Sequence, residues 1–145
     1  MLHIEIIAVG RLKTGPLHEL CAGYAGRLKD WQLLIHEIDD RKPAEPIILS
    51  RLSDMKYVFV LDERGKSLGS ESFAQQLQTL EDSGRNRVAF VIGGADGHSD
   101  AVRQKADFLL SFGIQTWPHM LARAMLAEQI YRARQIIAGH PYHRA

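Results

Sequence analysis

Four short runs in this chain gather residue types that bind or react. One is His140-Pro141-Tyr142-His143-Arg144-Ala145. An aromatic ring among bases suits RNA: Tyr142 can stack on a nucleobase, and Arg144 can hold a phosphate or a developing anion. His143 is a candidate general base, since the reference value for a histidine side chain, about 6.5, suits that role. A solvated basic segment has the same composition, so both readings stand at this point. A second run, Phe112-Gly113-Ile114-Gln115-Thr116-Trp117-Pro118, carries no charge. Phe112, Ile114, Trp117 and Pro118 can form an apolar slot, with Gln115, Thr116 and peptide groups as hydrogen-bonding partners. Such a slot fits a purine ring better than a phosphate. A buried crossing from strand to helix would use the same residues.

The third run is Gly93-Gly94-Ala95-Asp96-Gly97-His98-Ser99. Its glycines allow positive φ and let a ligand approach the backbone. It matches neither the dinucleotide fingerprint nor the phosphate loop with its Lys-Ser/Thr, which disfavours dinucleotides and nucleoside triphosphates. The competing reading is a tight strand-to-helix turn capped by Ser99. The fourth is Leu61-Asp62, at the end of an apolar run.

Other chemistries are poorly served. His140 and His143 flank a proline, His119 is distant in sequence and no HExxH is present, so no metal site is expected. Ser99, His119 and Asp96 lack the G-x-S-x-G elbow of a hydrolase. The single cysteine, Cys21, excludes an internal disulfide and suits a small buried position.

These runs need elements to hold them. Apolar, β-branched stretches at residues 2–9, 32–38, 57–62, 87–92 and 107–111 alternate with helical spacing at 16–30, 43–54, 70–82, 99–106 and 119–138. Residues 64–67 and 83–86 are expected turns. Strict alternation calls for an α/β fold with a mostly parallel sheet and helices on both faces, as one domain over residues 1–145. In such sheets ligands bind beyond the carboxyl ends of the strands, where three of the four runs fall. In the last helix, Ala122, Leu126, Ile130, Ala133 and Ile137 form a stripe for the core. Glu128 and Arg132 form an i, i+4 pair. A second stripe, Leu121, Met125, Arg132 and Ile136, exceeds what one small sheet covers and points to a second copy of the chain.

Hydrophobic residues at 46% and charged residues at 24% are the balance of an ordinary globular protein. No apolar run reaches the length of about 18 residues that a membrane span needs. The opening MLHIEIIAVG reads as a strand, not a signal peptide, and a cytoplasmic location is expected. Charge is uneven. Residues 1–110 carry 14 of the 18 Lys and Arg and 16 of the 17 Asp and Glu, whereas residues 111–145 carry four arginines and one acid. That concentration favours a polyanionic partner.

Three stretches resemble the RlmH family of bacterial SPOUT-class ribosomal RNA methyltransferases: VLD at 60–62, VIGGADGHS at 91–99, and SFGIQTWPHMLARAMLAEQIYRA with the closing HPYHRA at 111–145. The resemblance implies a C-terminal trefoil knot, S-adenosylmethionine bound within it, a homodimer, and methylation of N3 of a pseudouridine in 23S rRNA, in the large subunit or the assembled ribosome. It carries cofactor contacts to Leu61, Gly94, Gly113, Ile114, Gln115, Thr116, Trp117 and Pro118. It carries RNA contacts to Arg123, Tyr142, His143 and Arg144, the last three also as catalytic candidates. The chain departs from the family pattern at Ala95-Asp96, His98, Met120 and Gly139. The rival reading is a non-catalytic RNA-binding or ribosome-assembly protein on the same fold, which needs the basic residues but not the apolar slot.

Overall fold

The computed structural model describes residues 1–144; Ala145, the last position of the resembling stretch, lies outside them. Strands β1 (His3–Val9), β2 (Gln32–Ile38), β3 (Tyr57–Lys66), β4 (Arg87–Ile92) and β5 (Phe108–Leu110) alternate with helices α1 (Pro16–Arg27), α2 (Ala44–Leu52), α3 (Ser70–Asp82), α4 (Asp100–Gln104) and α5 (His119–Ile137). The strands form one sheet in the order β2-β1-β4-β3-β5, and every pairing is parallel. All five carboxyl ends therefore point the same way.

Covered faces explain the near-continuous apolar runs of β1 and β4. Crossovers from β1 to β2 and from β3 to β4 step toward the β2 edge, and their helices α1 and α3 lie on one face. Crossovers from β2 to β3 and from β4 to β5 step the other way, and α2 and α4 lie on the opposite face. A single crossover hand requires that alternation. The first face holds the larger core, with Phe59 stacked on Phe90 at 4.5 Å between ring centres and Phe73 edge-on to both. Fully burying each such ring is worth about 1.5–3 kcal/mol. Helix α5 packs onto this core between α1 and α3 through Leu126, Ile130 and Ala133.

Two differences from the sequence expectation bear on the site. Residues 64–67 are not a free turn. β3 runs on to Lys66, and both Leu61 and Lys66 pair with Leu110 while residues 62–65 loop out between them. Gly65 permits this, since a Cβ there would lie 2.4 Å from the Leu109 carbonyl oxygen. The second stripe of α5 is also less open than expected: Ile136 packs against the core and Arg132 is engaged by side chains, leaving Leu121 and Met125 half-buried.

Candidate functional site

A cleft of about 390 Å³ opens at the carboxyl ends of β3, β4 and β5. Leu61 to Arg64 form one wall, the glycine run from Gly93 to His98 a second, and Leu110, Phe112, Gly113, Gln115, Thr116 and Trp117 a third. Its size falls in the range of small-molecule sites. The expected slot and the glycine run thus meet, although they are separate in sequence and the strands before them, β5 and β4, flank β3.

Local chemistry shapes each wall. Gly113 takes φ +112°, a left-handed conformation that favours glycine, and Ser111 ties the turn by donating its hydroxyl to the Gly113 carbonyl at 2.8 Å. The Trp117 indole N–H donates to the Phe112 carbonyl at 3.1 Å, which sets the ring across the loop. Opposite, Thr116 donates to Glu63 at 3.3 Å. In the glycine run, Gly93 is needed because a Cβ would meet the Gly97 carbonyl at 2.9 Å. Ser99 caps α4 as expected, accepting from the Val102 amide at 3.3 Å.

One ion pair stiffens the cleft. Arg103 donates through Nε to Asp62 Oδ2 at 2.6 Å, and Asp62 Oδ1 accepts from the Arg64 amide at 2.9 Å. Burial acts to raise the Asp62 pKa, but the Arg103 and Arg64 hydrogen bonds outweigh it and hold the carboxyl below its ordinary value.

His98 donates from Nε2 to the Leu61 carbonyl at 2.8 Å and so ties the glycine run to β3, while its Nδ1 is buried with no hydrogen-bond partner among the described residues. Burial lowers its pKa from the ordinary 6.5, against the opposing pull of Leu61 and Asp62; Arg103 adds to the lowering. The folded protein therefore favours neutral His98. Its contribution is complete above pH 6.5 and is lost as pH falls toward and through the lowered folded value, because only the unfolded chain takes up the proton. Melting temperature against pH should accordingly fall more steeply on acidification for wild type than for His98→Leu. Parallel curves for the two proteins would contradict this assignment.

Arg123 departs from its expected place. It is 1% exposed, with one guanidinium nitrogen 2.5 Å from Glu37 Oε2 and the other donating to the Gly10 carbonyl at 3.0 Å. Glu37 Oε2 also accepts from the Leu12 amide at 2.7 Å. The group clamps the start of α5 to the carboxyl ends of β1 and β2. A side chain so enclosed does not reach RNA, and the expectation of an RNA contact is corrected to that of a structural clamp. The nearby Cys21 is buried, as expected, and burial pushes its thiol pKa up.

The closing residues lie elsewhere. The Tyr142 hydroxyl donates to Glu128 Oε2 at 2.8 Å, its ring meets Tyr131 edge-on at 4.9 Å, and the Arg132 guanidinium lies 4.9 Å over it. Burial, then Glu128 and Tyr24, raise the hydroxyl pKa above its ordinary 10.0, so Tyr142 keeps its proton and holds the hydrogen bond to Glu128. His143 Nδ1 sits 3.0 Å from Arg132, and Arg144 is exposed.

The cleft therefore gathers Leu61, Gly94, Gly113, Gln115, Thr116 and Trp117 of the expected cofactor set. Ile114 is 96% exposed, and neither it nor Pro118 lines the cleft. Tyr142, His143 and Arg144 do not line it either. Sequence reasoning missed Glu63, Arg103 and Glu37. Glu63 falls between the Leu61-Asp62 run and the expected turn at 64–67, and the ion pairs of Arg103 and Glu37 span 41 and 86 positions, which no local pattern signals.

Comparison with known proteins agrees with this geometry. A family model described as "Predicted SPOUT methyltransferase" matches residues 2–143. The chain is 50% identical over 153 aligned positions to the "Ribosomal RNA large subunit methyltransferase H" of Rhodospirillum centenum, spanning 99% of this chain and 100% of that one. Among solved structures, a probable methylase family protein from Haemophilus influenzae shares the fold at TM-score 0.61 and 13% identity, over 98% of this chain and 70% of the other. The SpoU methyltransferase AviRb of Streptomyces viridochromogenes, solved in complex with AdoMet, gives TM-score 0.51 at 12% identity over 92% of this chain and 58% of that one. The chain belongs to the SPOUT methyltransferases, and within them to the family of the large-subunit ribosomal RNA methyltransferase H proteins.

Proposed function

We infer that this protein, as one domain, transfers a methyl group from S-adenosylmethionine to N3 of a pseudouridine in large-subunit ribosomal RNA. The observation that carries the reading is the cleft itself, built from the glycine run and the 110–117 loop in a chain 50% identical to an rRNA methyltransferase over its full length. The residues present fit the cofactor. Leu61, Ile92, Leu110, Phe112 and Trp117 offer apolar surface for an adenine, the glycine run offers bare peptide groups, and Glu63 and Asp96 offer carboxylates to an ammonium. Ile114 and Pro118 belong to the same loop and would join the set if it closes on the ligand.

The bound cofactor supplies an electrophilic methyl group. The protein must hold the acceptor nitrogen in line with it and keep water out. N3 of pseudouridine is an imide nitrogen that has to lose its proton, so a cation beside it lowers the barrier. Arg144 is the candidate for that cation and His143 for the proton acceptor.

None of Tyr142, His143 or Arg144 lines the cleft of its own chain, which supports a homodimer in which one protomer's tail meets the other's cleft. Exposed Ile114 and Trp117, with half-buried Leu121 and Met125, are the apolar surface such a partner would cover. The path of the chain supports the knot: to reach α5 from β5, residues 111–118 have to cross the connection from β3 to α3. No helix among the described residues is long and apolar enough to cross a membrane. A cytoplasmic location beside ribosomes completes the reading.

Two measurements test it together. Titration calorimetry should detect S-adenosylmethionine binding to the purified protein. Mass spectrometry of 23S rRNA should show one methylated pseudouridine that disappears when the gene is deleted and returns when protein and cofactor are added to ribosomal particles. A folded protein that binds no cofactor, with an unchanged modification map, would replace the enzyme with the non-catalytic RNA binder.

A further inference from the structure

Glu128 is the one acid between Ser111 and the end of the chain, and the tail is organised around it. Its Oε2 accepts from the Tyr142 hydroxyl and from Arg132, each at 2.8 Å. Its Oε1 accepts from Gln129 Nε2 at 2.9 Å. Both helix neighbours extend the network. Gln129 accepts from the Ser70 hydroxyl at 2.8 Å, at the start of α3. Arg132 donates to His143 Nδ1 at 3.0 Å, and His143 Nε2 lies 3.7 Å from Glu71 on the same turn of α3. The carboxylate joins two helices and two tail residues.

A bare acid is a poor choice on a surface meant for RNA, since it repels phosphate. Glu128 avoids most of that cost, being 19% exposed and neutralised by Arg132. What it provides is order. Fixing a tail residue costs backbone entropy. Hydrogen bonds to a charged group are stronger than those between neutral groups and offset that cost. The aromatic contact of Tyr142 with Tyr131 adds to this. Tyr142 and His143 are consequently half-buried, and Arg144 projects as an exposed residue.

We propose that Glu128 is the positioning residue of the tail: it holds Tyr142 directly and His143 through Arg132, and thereby sets the direction in which Arg144 is presented to RNA. Tyr142 is then an anchor, not a platform for a base. The proposal rests on the methyltransferase reading for its kinetic consequence but not for the anchoring itself.

The test is a double-mutant cycle with two readouts, hydrogen exchange of the segment from residue 135 onward and steady-state kinetics on large ribosomal subunits. Glu128→Ala and Tyr142→Phe should each speed exchange of that segment and lower kcat about tenfold. The double variant should be no worse than the more severe single one. Glu128→Gln, which keeps an acceptor for the tyrosine hydroxyl, should recover most of the protection, and cofactor affinity should stay within twofold throughout. Multiplying effects in the double variant, or wild-type exchange and kcat in Glu128→Ala, would overturn the proposal. If Glu128→Ala fails to fold, Tyr142→Phe decides alone, since it removes one hydroxyl from a half-buried ring: both readouts must move. If wild type methylates no ribosomal substrate, the functional reading fails, and the exchange arm still decides the anchoring.

Discussion

Replacing Arg144 with alanine is expected to lower kcat for methylation of large-subunit RNA by about 10²- to 10³-fold, the usual cost of removing one group that stabilises a developing anion. Affinity for S-adenosylmethionine should stay within twofold of wild type, because Arg144 is exposed and is not among the residues of the cleft. The size of the effect follows from the acceptor. An imide nitrogen reacts as its anion, and a guanidinium keeps its charge at any working pH. Raising the pH should therefore recover part of the lost kcat in Arg144→Ala, since solvent base then supplies more of the anion. A phosphate contact would behave differently. It would raise KM, reduce the dependence of log KM on log salt concentration by about one unit of slope, and show no recovery with pH. Removing residues 142–145 should be at least as damaging as the point substitution. Full activity of that shortened protein would end the case for a catalytic tail.

The same residues show how far the sequence carries. Regular features with local causes were accessible: the order of strands and helices, the core stripe Ala122-Leu126-Ile130-Ala133 and the Ser99 cap all follow from periodicity or from contacts a few positions apart. The cleft was accessible in outline, because a parallel sheet puts every strand end on one side. What escaped was set by distant partners. Arg123 looks like any exposed arginine on a basic helix until Glu37 and the Gly10 carbonyl, 86 and 113 positions away, enclose it. Glu128 and Arg132 were visible as a helix pair, but their capture of Tyr142 and His143 depends on how the chain folds back after Gly139. Residues 64–67 looked like a turn because Arg-Gly-Lys-Ser has turn composition. That β3 resumes pairing at Lys66 depends on β5, more than 40 positions later.

Arg123→Ala is expected to destabilise the protein by about 3 kcal/mol, the lower end of the range for breaking a buried ion pair. The lower end applies because the Glu37 side chain is 33% exposed and water can take over part of its solvation. The Gly10 carbonyl has no such recourse, since Gly10 is buried. For a domain of this size that loss lowers Tm by about 6–12 °C. Glu37→Gln should cost less, about 1 kcal/mol, because the amide oxygen still accepts from Arg123 and the bond to Gly10 survives. A consequence at the cleft should accompany the loss. Arg123 sits one turn after His119, which lines the cleft and lies 3.5 Å from the position a Cβ would take on Gly10. Loosening that turn frees the wall bearing Trp117 and His119, so cofactor affinity should weaken in Arg123→Ala in step with the fall in Tm. Calorimetry and thermal melts on the same preparations check the pairing. An Arg123→Ala protein with wild-type Tm and cofactor affinity but weakened RNA binding would return Arg123 to the RNA surface and remove the clamp from the account of how the cleft is held.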